Sequence, residues 1–199
     1  MKTSASKIKK TRTNKVVKTK NSNRDFKIRV KVKGKPVKKT TGQKLFMLFL
    51  VVLPFLVGLV STLVTADMMT SFNKLNQPPL APPAWLFPVA WTILYILMGV
   101  ALLLIFRCEP KDESERNLQN AEIVVFFVQL FFNFMWTILF FRLEVRWFAF
   151  GWLVVMWAMI LALIVLCAKN CKPAAWCLVP YVLWCTFAMY LNMMIAILN

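Results

Sequence analysis

The sequence predicts an all-α integral membrane protein, a bundle of five transmembrane helices. Three observations lead to this prediction. Hydrophobic residues make up 59% of the 199 residues, although the chain carries a formal net charge of +17. The charge is concentrated in residues 1–44, which contain 17 of the 25 Lys and Arg residues and only one acid, Asp25. The rest of the chain contains five long apolar runs separated by short polar segments. A soluble domain would need polar faces on its surface elements, and these runs do not have them.

The five apolar runs cover about 45–66, 86–106, 121–141, 147–168 and 174–198. Each is close to the about 20 residues that a helix needs to cross about 30 Å of hydrocarbon. Backbone amides cannot stay unpaired in lipid, and runs of this length without alternation predict helices, not barrel strands. Only the first connection is long, so we expect the later consecutive helices to be antiparallel neighbours.

Residues 1–44 form a separate basic segment before the membrane domain of residues 45–199. Lys alternates there with Thr, Ser, Asn and Val, and few residues could build a core. This composition predicts a disordered basic arm. Its expected partner is the anionic headgroups of membrane lipid. Nucleic acid is disfavoured, because Phe26 is the single aromatic residue of the arm that could stack on a base.

The distribution of Lys and Arg predicts the orientation in the cell membrane. The arm and the polar segments 107–116 and 169–172 share one side of the membrane, and they contain far more basic residues than the other side. Basic residues in short loops stay in the cytoplasm. The N-terminus is therefore expected to be cytoplasmic, with the C-terminus and the loop 67–85 outside.

The residue types limit the possible chemistry. The chain has no His, which excludes Ser-His-Asp and Cys-His catalysis and histidine metal sites. Its five Cys residues include no C-x-x-C pair. We interpret them as small buried thiols, and we expect no disulfide, no metal, no cofactor and no catalytic acid-base pair.

Polar residues recur at helical spacing inside the predicted spans. Gln129, Asn133 and Trp136 stand at i, i+4 and i+7, as do Trp91, Tyr95 and Met98, so each set shares one helix face. Amides are costly toward lipid, so Gln129, Asn133 and Asn192 should point into the bundle. Two interpretations remain open for them: hydrogen bonds between helices, or the lining of a ligand pocket.

Three longer motifs carry a resemblance to a known family. They are PPAWLFPVAWTILYILMG (82–99), QLFFNFMWTILFF (129–141) and PYVLWCTFAMYLN (180–192). Their order and spacing resemble the tryptophan-rich sensory protein family (TspO/MBR), also called translocator proteins or peripheral-type benzodiazepine receptors. The resemblance covers about 45–199, whereas the basic arm has no counterpart in the family pattern.

The resemblance implies a five-helix bundle, commonly a homodimer, with a pocket closed by the loop between the first two helices. Family members bind porphyrins such as protoporphyrin, isoquinoline and benzodiazepine-type drugs and, in animals, cholesterol. The positions expected to bind ligand are Ser61, Pro88, Trp91, Tyr95, Asn133, Trp136, Phe148, Trp184, Ala188, Leu191 and Asn192. The expected lid residues are Gln77, Pro78, Leu80, Pro82 and Pro83.

The chain also departs from the family pattern. Ser71 and Phe72 replace the usual Trp-Tyr pair, Gln77 replaces a Lys, and Leu80 stands where an aromatic residue is common. The cholesterol-recognition stretch of animal members, a Tyr followed by a basic residue, has no match near the end of the chain.

The expected function is therefore a membrane sensor or carrier that binds porphyrin-type tetrapyrroles. One alternative is an enzyme that degrades porphyrin in light, using Trp91 and Trp184. A further alternative is the binding or transport of a lipid or sterol.

Overall fold

The computed structural model describes residues 41–68 and 74–199. The predicted basic arm up to residue 40, and Ser71 and Phe72 of the first loop, lie outside the described residues. The described residues form five long helices: α1 (Thr41–Thr65), α2 (Leu86–Arg107), α3 (Glu113–Thr137), α4 (Arg146–Asn170) and α5 (Lys172–Leu198). All five are long and apolar enough to cross a membrane. The predicted fold class is confirmed.

Two helices begin four or more residues before the apolar runs indicated. Helix α1 begins at Thr41, so the last four residues assigned to the arm are helical. Helix α3 begins at Glu113, where the side chain of Asp112 accepts a hydrogen bond from the backbone N–H of Glu115 at 2.8 Å. An Asp cap and acids in the first turn stabilise a helix N-terminus. These polar signals, not hydropathy, set the start of α3.

The helices follow the order α1, α2, α5, α4, α3 around the bundle. Extensive contacts join α4 to α5, α1 to α2, α3 to α4 and α2 to α5, whereas α2 and α3 make few. The expectation that consecutive later helices are neighbours is correct for α3–α4 and α4–α5, but wrong for α2–α3. Helix α2 is already covered by α1 and α5. It meets α3 at a few places, among them the side-chain amide of Gln119, which donates to the carbonyls of Ile105 and Cys108 at the end of α2.

Two glycines allow α1 and α2 to approach closely. A Cβ atom added to Gly58 would overlap the ring of Tyr95, and one added to Gly99 would overlap the backbone carbonyl of Val51. Small residues at such crossings let helix backbones come together in membranes. Gly151 on α4 differs, because a Cβ atom there would meet open space.

A disulfide joins Cys108, just after α2, to Cys171, between α4 and α5; their Cα atoms lie 6.2 Å apart. The expectation of no disulfide was wrong. The two residues are 63 positions apart in sequence, so their proximity depends on the packing of α2 against α5. The interpretation as buried thiols does fit Cys167 and Cys185, while Cys177 is half-buried.

Candidate ligand-binding site

A small cavity of about 30 Å³ lies at the end of the bundle where the first loop meets α2, α3 and α5. Aromatic and aliphatic side chains form most of its wall. The lining residues are Gln77, Ala81, Phe87, Trp136, Phe140, Phe141, Ala188, Leu191, Asn192 and Ile195. The polar groups of this wall are the side-chain amides of Gln77 and Asn192 and the indole N–H of Trp136. The rest of the wall is apolar.

Helix α5 supplies one wall of the cavity. Ala188, Leu191, Asn192 and Ile195 stand at i, i+3, i+4 and i+7, so they share one helix face. All four are buried. The methyl group of Ala188 is the smallest of these side chains, so it keeps the wall open at its position.

The end of α3 supplies the aromatic wall. Trp136 stacks on Phe140 with ring centroids 5.4 Å apart and planes 16° apart, and Phe140 meets Phe141 edge-on at 4.9 Å. The chain forms a π-helical turn from Ile138 to Arg142, a feature often found at functional sites. The wider turn brings both phenylalanines to the cavity.

Sequence reasoning missed Phe140 and Phe141 as lining residues. Phe140 follows Trp136 by four positions, so ordinary helical spacing could have placed it on the same face. Phe141 would lie off that face on a regular α-helix, and no pattern in the sequence indicates the π-helical turn. Phe87, at the start of α2, and Ile195, one helical turn beyond Leu191, were also missed.

Asn192 lines the cavity and joins helices at the same time. Its Oδ1 accepts a hydrogen bond from the indole N–H of Trp136 at 3.1 Å, and its Nδ2 donates to the carbonyl of Arg146 at 2.9 Å. The residue is buried. Asn192 therefore forms hydrogen bonds between helices and also lines the cavity, the two roles considered for the membrane amides. Its two bonds fix the position of the Trp136 ring.

A second polar group lies deeper in the bundle, and we call it the interior network: Tyr95, Asn133, Tyr181 and Gln129. The Tyr95 hydroxyl donates to Asn133 Oδ1 at 2.7 Å, and Asn133 Nδ2 donates to the Tyr181 hydroxyl at 3.0 Å. The Tyr181 hydroxyl donates to Gln129 Oε1 at 3.0 Å. These bonds join α2, α3 and α5, and none of the four residues lines the cavity.

Trp91 and Trp184 lie behind the cavity wall. The Trp91 ring is 6.5 Å from Trp136 and 5.5 Å from Tyr95, between centroids. Trp184 meets Phe87 edge-on at 6.1 Å. Each of these tryptophans therefore contacts a lining residue without bordering the cavity, so movement of the wall would be needed to expose it to a ligand.

Three other expected positions lie away from the cavity. Ser61 is buried on α1, and its hydroxyl has no partner among the described residues. Phe148 is 59% exposed and contacts Trp152. Pro88 is exposed on the first turn of α2. The structure does not bring these three side chains to the cavity.

The described part of the first loop, residues 74–85, lies over the cavity, and we call it the lid. The backbone N–H of Asn76 donates to Asn199 Oδ1 at 2.9 Å, and Asn199 Nδ2 donates back to the Asn76 carbonyl at 3.2 Å. The Tyr190 hydroxyl donates to the carbonyl of Pro79 at 2.6 Å. These bonds hold the lid against the end of α5.

The expected lid residues take different positions. Gln77 lines the cavity and Pro78 is buried. Leu80 has a positive φ of 69° and is 80% exposed, so its side chain stays outside the cavity. Pro82 is half-buried and Pro83 is exposed. One polar side chain of the lid, Gln77, therefore reaches the cavity.

Residues 50–198 match the TspO/MBR family. The Tryptophan-rich protein TspO of Chlorobaculum tepidum is 38% identical over 128 residues, covering 64% of this chain and 78% of that protein. The corresponding protein of Archaeoglobus fulgidus is 33% identical over 146 residues, covering 72% and 90%. The Translocator protein of Ovis aries is 32% identical over 121 residues, covering 61% and 70%. The chain is thus a multi-pass membrane protein with five spans, and it belongs to the TspO/MBR family.

Proposed function

We propose that the protein is a membrane sensor or carrier that binds porphyrin-type tetrapyrroles under the lid. The observation that carries the proposal is the cavity wall, which combines the aromatic rings of Trp136, Phe140 and Phe141 with the amides of Gln77 and Asn192. Flat aromatic ligands stack on such rings, and a few placed polar groups fix their orientation.

Ligand entry requires the lid to move. The cavity of about 30 Å³ holds about one water molecule, far less than a tetrapyrrole. The contacts of Asn76 and Pro79 with α5 are exposed hydrogen bonds, and segments held in this way open at low free energy. We propose that the lid lifts away from α5 and that Phe87 and Trp136 separate to admit the macrocycle.

Tryptophan fluorescence tests where the porphyrin binds. Trp136 borders the cavity, whereas Trp176 is 73% exposed at the opposite end of α5. Protoporphyrin quenches nearby indoles most strongly, so Trp136→Phe should lower the quenched fraction of the total emission. The matched variant Trp176→Phe should raise that fraction. Equal fractions in the two variants would exclude the cavity as the binding site.

We also propose the orientation and the assembly that the sequence predicts. The arm end would face the cytoplasm, because Lys and Arg are concentrated there, and the lid end would face outward. An impermeant biotin reagent applied to intact cells should label a Cys placed at exposed Glu144, in the tight α3–α4 connection at the lid end. The assembly is proposed to be a homodimer, and the mass of the purified particle in detergent tests that state.

A light-dependent, porphyrin-degrading activity is a second candidate function. It is favoured by the row of rings behind the cavity, since Trp91 lies within 6.5 Å of both Trp136 and Tyr181. These aromatic side chains could transfer an electron to an excited porphyrin, with dioxygen as the final oxidant. If so, illumination with protoporphyrin and dioxygen should yield an oxidised open-chain product. Trp91→Phe and Trp184→Phe should then abolish the product but keep binding, whereas no product from the wild type would exclude the activity.

Lipid or sterol binding is tested in the same titration. The lining is mainly apolar, so a sterol could occupy the space without matching the amides of Gln77 and Asn192. A sterol that displaced protoporphyrin at equal concentration would favour this alternative over a tetrapyrrole site.

A further inference from the structure

The end of the bundle opposite the lid contains the Cys108–Cys171 pair. Cys108 lies in the segment that follows α2, and its backbone N–H donates to the carbonyl of Leu104 at 3.0 Å. Cys171 lies between α4 and α5, and its carbonyl accepts from the N–H groups of Ala174 and Ala175 at 2.9 and 3.3 Å. Both backbones are therefore fixed by helix ends, and the packing of α2 against α5 holds the two Cα atoms 6.2 Å apart.

The two cysteines differ in how far a small reagent can reach them. Cys108 is half-buried, whereas Cys171 is 2% exposed. Exposed charges of both signs adjoin the pair, Arg107 and Glu109 beside Cys108 and Lys172 after Cys171. Thiol–disulfide exchange depends on access, and a reagent reaches the more exposed sulfur first. The first attack is therefore assigned to Cys108, and Cys171 resolves the intermediate.

We propose that Cys108 and Cys171 form a reversible thiol–disulfide pair whose reagents are low-molecular-weight disulfides and thiols, of which glutathione is the test case. The thiolate of Cys108, having released its proton to water, attacks one sulfur of the small disulfide. A mixed disulfide forms and one small thiolate leaves. The Cys171 thiol then releases its proton, and its sulfur attacks Cys108 Sγ, expelling the second small thiolate.

The exchange is balanced. The two protein thiols lose two electrons and two protons, and the small disulfide becomes two thiols. The reverse exchange with two small thiols restores Cys108 and Cys171.

The compartment explains why the bond would be reversible. In the proposed orientation this end lies on the cytoplasmic side, where small thiols keep most protein cysteines reduced. A disulfide is expected there only when the small-disulfide pool rises. The bond would tie the end of α2 to the start of α5, and the same helices carry Phe87 and Ala188 at the lid end. Oxidation therefore limits how far α2 and α5 can separate.

A redox titration of the full chain in detergent tests the pair, and it does not depend on the bound ligand. Protein equilibrated anaerobically with mixtures of reduced and oxidised glutathione is quenched with acid, denatured and labelled with a maleimide. Wild type should interconvert between five and three labelled thiols, because the chain has five Cys and three lie outside the pair. Cys171→Ser should accumulate a glutathione adduct at Cys108. Cys177→Ser should change between four and two labelled thiols at the same glutathione ratio as wild type.

Each other outcome contradicts the proposal. Three thiols at every ratio would mean a permanent structural bond, and five at every ratio would mean that the bond does not form. A Cys171→Ser variant without an adduct at Cys108 would remove the assigned order of attack. If wild type and Cys177→Ser were half-oxidised at different ratios of reduced to oxidised glutathione, the exchange would involve a different cysteine.

Discussion

The interior network and the cavity at the lid end are built from the same residue types. They differ in what fills the space next to the amide side chain. In the interior network, Asn133 lies between two tyrosine hydroxyls at 2.7 and 3.0 Å, and these rings fill the interior. At the lid end, Asn192 binds one indole and one backbone carbonyl, and the remaining space is covered by the lid. An amide in a membrane helix can thus fill the interior of the bundle with its partners or border a cavity, depending on its partner from another helix.

The largest expected effect comes from Gly99→Ala, which disturbs the packing of α2 against α1. The added methyl group would overlap the backbone of Val51, which cannot turn away as a side chain can. Overpacking of this kind costs about 1–3 kcal/mol, and we expect the upper end. Thermal unfolding in detergent measures the change. Gly151→Ala is the control and should unfold as wild type does, because its methyl group would meet open space.

Asn133→Leu should reduce the free energy of unfolding more than the free energy of porphyrin binding. The substitution leaves the buried Tyr95 hydroxyl without its acceptor, and it removes the Asn133 donor from the Tyr181 hydroxyl, which keeps its bond to Gln129. A buried polar group that loses its partner costs about 1–3 kcal/mol. The measurement pairs thermal unfolding with a protoporphyrin titration. A variant as stable as wild type would show that the interior network contributes little to the fold.

Asn192→Leu should have the opposite effect and reduce the free energy of porphyrin binding more than the free energy of unfolding. It removes the polar edge of the cavity and the acceptor that positions the Trp136 indole. We expect about a tenfold loss of porphyrin affinity, which corresponds to about 1.4 kcal/mol, with a smaller loss of stability than in Asn133→Leu. If the two amide variants changed affinity and stability in the same proportion, the distinction between the two regions would be wrong.

The smallest effect is expected for Tyr190→Phe, which removes one exposed hydrogen bond from the lid. The Tyr190 hydroxyl holds the carbonyl of Pro79 at 2.6 Å, and one such bond contributes about 0.5–1.5 kcal/mol. The lid should open more often, so stopped-flow measurements should show a several-fold faster release of porphyrin with little change in thermal stability. Unchanged release would mean that the lid does not limit exchange.

The sequence predicted the parts of this fold that depend on one helix at a time. Hydropathy located the five spans, and helical spacing correctly directed Gln129, Asn133 and Asn192 into the bundle. The family motifs also pointed to Trp136 and Ala188, which border the cavity. Each of these inferences needs only the period of a helix and the cost of exposing an amide to lipid.

The features that were missed depend on contacts between helices or on local backbone geometry. The Cys108–Cys171 pairing requires α2 and α5 to be neighbours, and the spacing of the cysteines along the chain does not contain that information. The π-helical turn that brings Phe141 to the cavity has no residue signature in TILFF. Helical spacing likewise could not show that Asn133 belongs to the interior network whereas Asn192 lines the cavity. That difference depends on the partners that each residue finds on other helices.

The central claim is that ligand occupies the space beneath the lid, and a titration of Ala188→Phe with protoporphyrin tests it most directly. The new ring would fill the cavity from the α5 wall, so binding should weaken by at least about tenfold, the equivalent of 1.4 kcal/mol. The matched variant Ala162→Phe adds the same ring at an exposed position of α4 and should bind as wild type does. Wild-type affinity in a folded Ala188→Phe protein would contradict the account.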